Sequence, residues 1–142
     1  MKEINIMLDP GAIIPTRAHE TDAGLDLYIP EHLDTVVAFP RDSITIDTGV
    51  HVEIPEGYVG LLKSKSGLNV KMDMTGEGVI DSGYTGSIIA RLYNNGNQFR
   101  YFRGGDKIIQ LLIVKCETPT IKVVNEFKET ERGAAGIGST GR

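Results

Sequence analysis

Apolar residues in this chain come in short runs, and almost every run is cut off by glycine, proline, asparagine or aspartate. The runs are INIML (4–8), LDLYI (25–29), TVVAF (35–39), SITID (43–47), VHVEI (50–54), YVGLL (58–62), SIIARLY (87–93), QFRYF (98–102), KIIQLLIV (107–114) and IKVV (121–124). Several alternate by two. Val50, Val52 and Ile54 fall on one side and His51 and Glu53 on the other, the period of a strand with one buried face. β-branched residues, which suit a pleated surface, are abundant in these runs. Pro55-Glu56-Gly57, Asn95-Gly96 and Gly104-Gly105 supply tight-turn chemistry between them. A sustained helical stripe is missing, and LNVKMDM (68–74) has room for about one or two helical turns. Many short strands at close spacing predict an all-β sandwich or barrel rather than βαβ units.

The chain has 142 residues, 40% of them hydrophobic. That is enough for a single core without a metal or disulfide staple. Strand character stops near residue 130, after NEFKETE, and glycine takes over. The sequence therefore divides into a β-rich core domain, residues 1–130, and a glycine-rich C-terminal arm, residues 131–142. The formal net charge of −4 argues against nucleic acid or an anionic membrane as the main partner. It does not exclude a small anion in a local basic pocket. The single cysteine, Cys116, has no internal disulfide partner. Its place at the end of KIIQLLIVKC predicts a buried, inert thiol in a reducing compartment. No apolar leader and no long apolar segment is present, so a cytoplasmic location is expected.

Five stretches have the residue types for chemistry. GEGVIDSGYTG (76–86) sets one carboxylate, Asp81, and one phenol, Tyr84, among four glycines. Glycine lets the backbone turn sharply and approach a ligand, and it equally suits a plain β-hairpin tip. KSKSGL (63–68) offers ammonium, hydroxyl and backbone donors to an oxyanion, or is a polar loop. In ETDAGLDLY (20–28), Asp22 and Asp26 would share a face of a strand and so hold a divalent cation, or Asp22 only forms a turn. Gln110 is a neutral amide inside an apolar strand, and such a group needs partners, structural or bound. The tail stretch RGAAGIGSTG has one fixed cation, two hydroxyls and many glycines, but not the ending of a P-loop. His19, His32 and His51 are scattered and have no zinc spacing.

The segments AGLDL, KSGL, GVIDSGYTG, GDKIIQL and RGAAGIGSTG occur in that order. The series resembles the trimeric dUTPase family, the deoxyuridine triphosphate nucleotidohydrolases, across residues 4–142. The resemblance implies a distorted jelly-roll or β-sandwich-like subunit with a flexible C-terminal arm. It implies a homotrimer with active sites at subunit interfaces, each using segments of all three chains. It implies Mg²⁺-dependent hydrolysis of dUTP to dUMP and pyrophosphate, which limits uracil incorporation into DNA and supplies dUMP for thymidylate synthesis.

The same resemblance implies residue roles. Asp81 is the general base for the water that attacks the α-phosphorus. Tyr84 packs under the deoxyribose, and backbone groups of Gly78, Val79 and Ile80 read the uracil edge. Lys65, Ser66 and Gly67 lie along the phosphates, as does Gln110. Asp26 reaches Mg²⁺ through water. Arg132 meets the γ-phosphate, and Ile137, Gly138, Ser139 and Thr140 close over the nucleotide. Three positions depart from the family pattern. Lys65 stands where arginine is usual, Gly83 where a second acid is common, and Ile137 where a phenylalanine stacks on uracil. The last implies a higher KM. Two other readings remain beside this one: a dCTP deaminase-like enzyme of the same fold, and a nucleotide-gated regulatory binding protein.

Overall fold

The computed structural model describes residues 3–135. Eleven strands and one helix follow one another. They are β1 (Ile6–Leu8), β2 (Leu25–Tyr28), β3 (Val36–Ala38), β4 (Ser43–Asp47), β5 (Val50–Val52), β6 (Tyr58–Lys63), α1 (Ser66–Met72), β7 (Met74–Thr75), β8 (Glu77–Ile80), β9 (Ile89–Asn94), β10 (Arg100–Phe102) and β11 (Lys107–Lys115). The all-β expectation holds. None of the sheets closes into a barrel among the described residues. The strands form small antiparallel sheets ordered β2-β11-β6-β8, β4-β9-β7, β1-β5 and β10-β3.

One apolar cluster joins all four sheets. It contains Leu27, Ile109 and Leu111 from the largest sheet, Ile46 and Leu92 from the second, Val50 and Val52 from the third, and Ala38 and Phe102 from the fourth. The period-two pattern produces this burial. Along β9, Ala90, Leu92 and Asn94 are buried while Ile89, Arg91 and Tyr93 are exposed. A register shift between Lys107 and Ile109 breaks the alternation in β11. The bulge turns both Ile108 and Ile109 into the core. No helix among the described residues is long and apolar enough to cross a membrane.

Helix α1 overlaps the expected helical stretch, 68–74, but begins at Ser66 and ends at Met72, and Met74 belongs to β7. The helix has no fully buried residue. A helix this short is unstable alone in water, so tertiary contacts hold it. Leu68 and Met72 rest on the core, and Arg100 Nε donates to the Met72 carbonyl at 3.0 Å. Asp73 ends the helix in the left-handed region with φ 54.

Three sequence expectations are corrected. IKVV forms no strand, and Ile121 and Val123 are about 90% exposed. Its apolar residues find no ladder partner among the described residues. Cys116 is exposed, because it follows the end of β11 where inward packing has already faded. GEGVIDSGYTG is not a hairpin. Strand β8 pairs with β6, whereas β9 pairs with β4 and β7, so the intervening loop carries the chain between two sheets.

Candidate active site

Two clefts collect most of the candidate residues. The first lies where β2, β11 and the start of α1 meet. Gln110 on β11 is the register partner of Asp26 on β2. Lys65 precedes α1 and pairs its ammonium with Asp26 Oδ1. Lys107 Nζ approaches Asp26 Oδ2 at 2.9 Å. Asp26 is only 5% exposed. Burial works to raise its pKa, but hydrogen bonds and charge from Lys65 and Lys107 outweigh burial and hold the carboxyl below its ordinary value.

Gln110 is half-buried, and its Nε2 donates to the Ser64 carbonyl at 3.1 Å. Ser64 Oγ in turn accepts from the Gly76 N–H at 2.8 Å, which fixes the turn before Lys65. Gly24 leaves the space that Gln110 fills. A Cβ there would lie 3.1 Å from Gln110 Cδ and closer still to Oε1. These groups border a cleft of about 270 Å³, with Asp22 on its rim. Asp22 is not in a strand; its carboxylate accepts from the His19 N–H at 2.9 Å. Ser66 and Gly67 are exposed at the first turn of α1, where backbone N–H groups lack intrahelical partners.

The described residues include no cluster of three or more His, Cys, Asp or Glu able to hold a metal. A single charged carboxylate, already braced by two lysines, does not form a resident cage. Such a carboxylate could meet a divalent ion only through water.

The second cleft is built on β8 and the loop after it. Strand β8 is the edge of its sheet. An edge strand leaves backbone N–H and C=O groups outside the ladder. Gly78 is half-buried, Val79 is 63% exposed and Ile80 points into the core. Asp81 follows, exposed, and its carbonyl accepts from the Tyr84 N–H at 3.2 Å. Gly83 adopts φ 85, which disfavours any side chain there and accounts for glycine at this point of the turn. Tyr84 folds back on the loop, and its hydroxyl donates to the Ser87 carbonyl at 2.9 Å. A Cβ at Gly86 would lie 2.6 Å from the Tyr84 ring carbon Cζ, so a side chain there would push the ring aside. Val79, Ile80, Asp81, Tyr84, Ser87 and Ile89 surround about 200 Å³.

The two clefts sit at opposite ends of β8. Lys63, leading into the first, is the register partner of Glu77; Gly60, at the other end, is the partner of Ile80. From Glu77 to Asp81 the strand advances about 13 Å at roughly 3.3 Å per residue. Arg132 joins neither cleft by a hydrogen bond; its Nε donates locally to the Ala135 carbonyl at 3.3 Å. Ile137, Gly138, Ser139 and Thr140 lie outside the described residues.

Two residues escaped sequence reasoning. Lys107 opens the GDKIIQL strand and braces Asp26, a pairing across the sheet that no local spacing reveals. His51 has no zinc spacing in the sequence, yet its ring contacts the Thr85 carbonyl in the loop beside Tyr84. Its place on the polar side of an alternating strand was the one available signal.

A family model described as dUTPase matches residues 11–141. A deoxyuridine 5'-triphosphate nucleotidohydrolase of Nocardia farcinica is 41% identical over 138 residues, covering 94% of this chain and 82% of that protein. The corresponding protein of Clostridium kluyveri is 40% identical, covering 92% of this chain and 91% of its own. Among solved structures, a Staphylococcus bacteriophage 80alpha dUTPase with dUPNHPP superposes with a TM-score of 0.90 at 34% identity over 100% of both chains. That structure is described as one of the phage dUTPases that control transfer of virulence genes by a proto-oncogenic G protein-like mechanism. A mutant dUTPase from phage phi11 of S. aureus, described for the coordination of a structural Mg(II) ion, has a TM-score of 0.79 at 34% identity and covers 89% of this chain and 99% of that one.

Proposed function

The chain belongs to the dUTPase family, and from that premise we propose that it hydrolyses dUTP to dUMP and pyrophosphate at sites shared between subunits of a homotrimer. The observation that carries the subunit sharing is the separation of the two clefts by the length of β8. Neither cleft alone has both an activating carboxylate for water and a set of cationic and polar groups for a triphosphate. Ile121, Val123 and Phe127, each about 90% exposed in a single chain, suit burial by a neighbouring copy.

In this reading uracil lies along the free edge of β8. Backbone donors and acceptors of Gly78, Val79 and Ile80 match its imide face. The packed wall around Ile80 leaves little space for the methyl group of thymine. Tyr84 lies under the sugar and excludes a 2′-hydroxyl. Asp81 orients and deprotonates a water at the α-phosphorus; the bond to the bridging oxygen breaks and pyrophosphate leaves. The substrate brings Mg²⁺ on its triphosphate, and the ion offsets charge on the phosphate oxygens. Lys65, Ser66, Gly67 and Gln110 of a second subunit line the phosphate path, and Asp26 would hold the ion through water. Arg132 of the arm meets the γ-phosphate. Ile137, Gly138, Ser139 and Thr140, which lie outside the described residues, are the further nucleotide contacts that this reading assigns.

A pyrophosphate-release assay with dUTP, dTTP, dCTP and UTP in Mg²⁺ tests this directly. Selective turnover of dUTP is expected, and ammonia release from dCTP would assign the deaminase reading instead. The phage relative's described control of gene transfer favours a second, regulatory role that uses the nucleotide-loaded state. Pull-down of a protein partner that changes on adding dUTP tests it.

A further inference from the structure

We propose that His51 is a positioning residue for the Asp81–Ser87 loop, and that it does this work only as an imidazolium. The proposal rests on the hydrolase reading above. His51 sits in the centre of β5 on the face opposite buried Val50 and Val52, with Met7 of β1 as its register partner. Its side chain is 17% exposed. Nδ1 is 2.8 Å from the Thr85 carbonyl oxygen, and Nε2 is 3.1 Å from Asp9 Oδ1 in the loop after β1. Nε2 is closed off from solvent and makes no well-aligned hydrogen bond among the described residues, so the carboxylate is its counterpart as an ion pair.

Both partners are acceptors. A neutral imidazole has a single N–H and leaves a lone pair facing one of the two oxygens; only the doubly protonated ring donates to the Thr85 carbonyl and sets a positive charge against the Asp9 carboxylate. The surroundings favour that state. Asp9 and Asp47 act on the ring as negative charges, while Glu53 and the Tyr84 phenol are the other titratable groups around the adjoining cleft of about 250 Å³, whose lining has no other cation. The Thr85 carbonyl first, then Asp9, raise the ring above its ordinary value against the effect of burial.

Thr85 directly follows Tyr84 in the loop that begins with Asp81. The Tyr84 N–H to Asp81 carbonyl and Tyr84 hydroxyl to Ser87 carbonyl bonds are internal to the loop. They shape it without fixing it to the sheet. The chain is secured after the loop by the Ile88 N–H to Val50 carbonyl bond at 2.8 Å. The His51–Thr85 contact is thus the tie between the middle of the loop and the β1–β5 sheet. When the ring loses its Nε2 proton, it keeps its Nδ1–H on the Thr85 carbonyl but turns a lone pair on the Asp9 carboxylate, so the ring loses its own anchor and the loop is tied to a side chain that is no longer held.

The test uses the full-length protein and three forms: unmodified, His51→Gln and Asp9→Asn. Turnover of dUTP is followed by pyrophosphate release from about pH 5 to pH 9, across the histidine range. The unmodified protein should lose kcat on the alkaline side with a midpoint above the ordinary histidine value. Asp9→Asn should move that midpoint down. His51→Gln should abolish the alkaline limb and lower the plateau kcat about tenfold, as expected for slight misplacement of a reacting group. An alkaline limb of unchanged midpoint in His51→Gln, or no such limb in the unmodified protein, overturns the proposal. Hydrogen exchange supplies a readout independent of turnover. Amides of residues 82–88 should lose protection in His51→Gln at a pH below the midpoint, and unchanged protection also overturns the tie. An unmodified protein that releases no pyrophosphate at any pH would instead sink the hydrolase reading, and exchange alone would then judge the loop.

Discussion

Replacing Gly24 by alanine tests how the phosphate cleft is kept open. The new Cβ would stand 3.1 Å from Gln110 Cδ and 3.2 Å from Gln110 Cβ, and closer still to Oε1. Gly24 does not have the positive φ that penalises side chains, so the cost is steric rather than torsional. Gln110 must swing away and give up its 3.1 Å bond to the Ser64 carbonyl. Losing that bond costs about 1 kcal/mol. Overpacking at a tight site adds typically 1–3 kcal/mol, and a half-buried glutamine with a cleft beside it relaxes most of that. A net loss of about 1–2 kcal/mol follows, or roughly 3–8 °C in Tm for a chain of this size. The displaced amide enters the phosphate cleft, so KM for dUTP should rise about tenfold or more while Asp81 keeps its surroundings. Thermal unfolding and steady-state kinetics measure both. The decisive control repeats Gly24→Ala in a Gln110→Ala background. The clash with Oε1 and Cδ is then gone, so the stability penalty should fall to less than half, a coupling expected of contacting residues. An equal penalty in both backgrounds would refute the steric reasoning.

Asp81→Asn should remove turnover by at least about a hundredfold, the lower scale of general-base catalysis, with dUTP binding retained by calorimetry. Lys107→Met should shift acid unfolding to higher pH. The depressed Asp26 carboxyl contributes stability that is present above its ordinary value of 3.8 and is lost as pH falls through its folded value, and without Lys107 that loss starts earlier. Lys107 is 40% exposed and screened by solvent, so the loss at neutral pH should be small, measured by urea unfolding. Ile137→Phe should lower KM for dUTP, as an aromatic ring replaces an aliphatic cover on the base, and an unchanged KM would count against that role.

The strands with clean alternation were legible in the sequence. β4 and β9 follow the period-two pattern, and the pattern alone places Ile44, Ile46, Ala90 and Leu92 inside. Strand β8 was not legible as a strand, because Gly76 and Gly78 carry no β preference. It exists because β6 offers it a partner, with Gly78 opposite Leu62. IKVV shows the converse error: strong local preference with no ladder to join. The order of the polar motifs pointed to the site because each motif is local in sequence. The Asp26–Lys107 and His51–Thr85 contacts were not visible, since both join segments distant in the chain through side chains whose types are ordinary on a polar face. Cys116 is exposed although it closes an apolar run, because β11 leaves the core before it ends.

The central claim is that the activating carboxylate and the phosphate cleft of one working site come from different copies of the chain. Mixing two impaired variants tests it most directly. Asp81→Asn lacks the base, Lys65→Ala weakens the cleft, and each homogeneous protein should turn over dUTP poorly. Co-expressed in equal amounts, they assemble at random, and about one quarter of the sites pair an intact loop with an intact cleft in a closed symmetric oligomer. Recovery of about a quarter of the unmodified activity is the predicted result. A mixture no more active than the average of its two components would contradict the account.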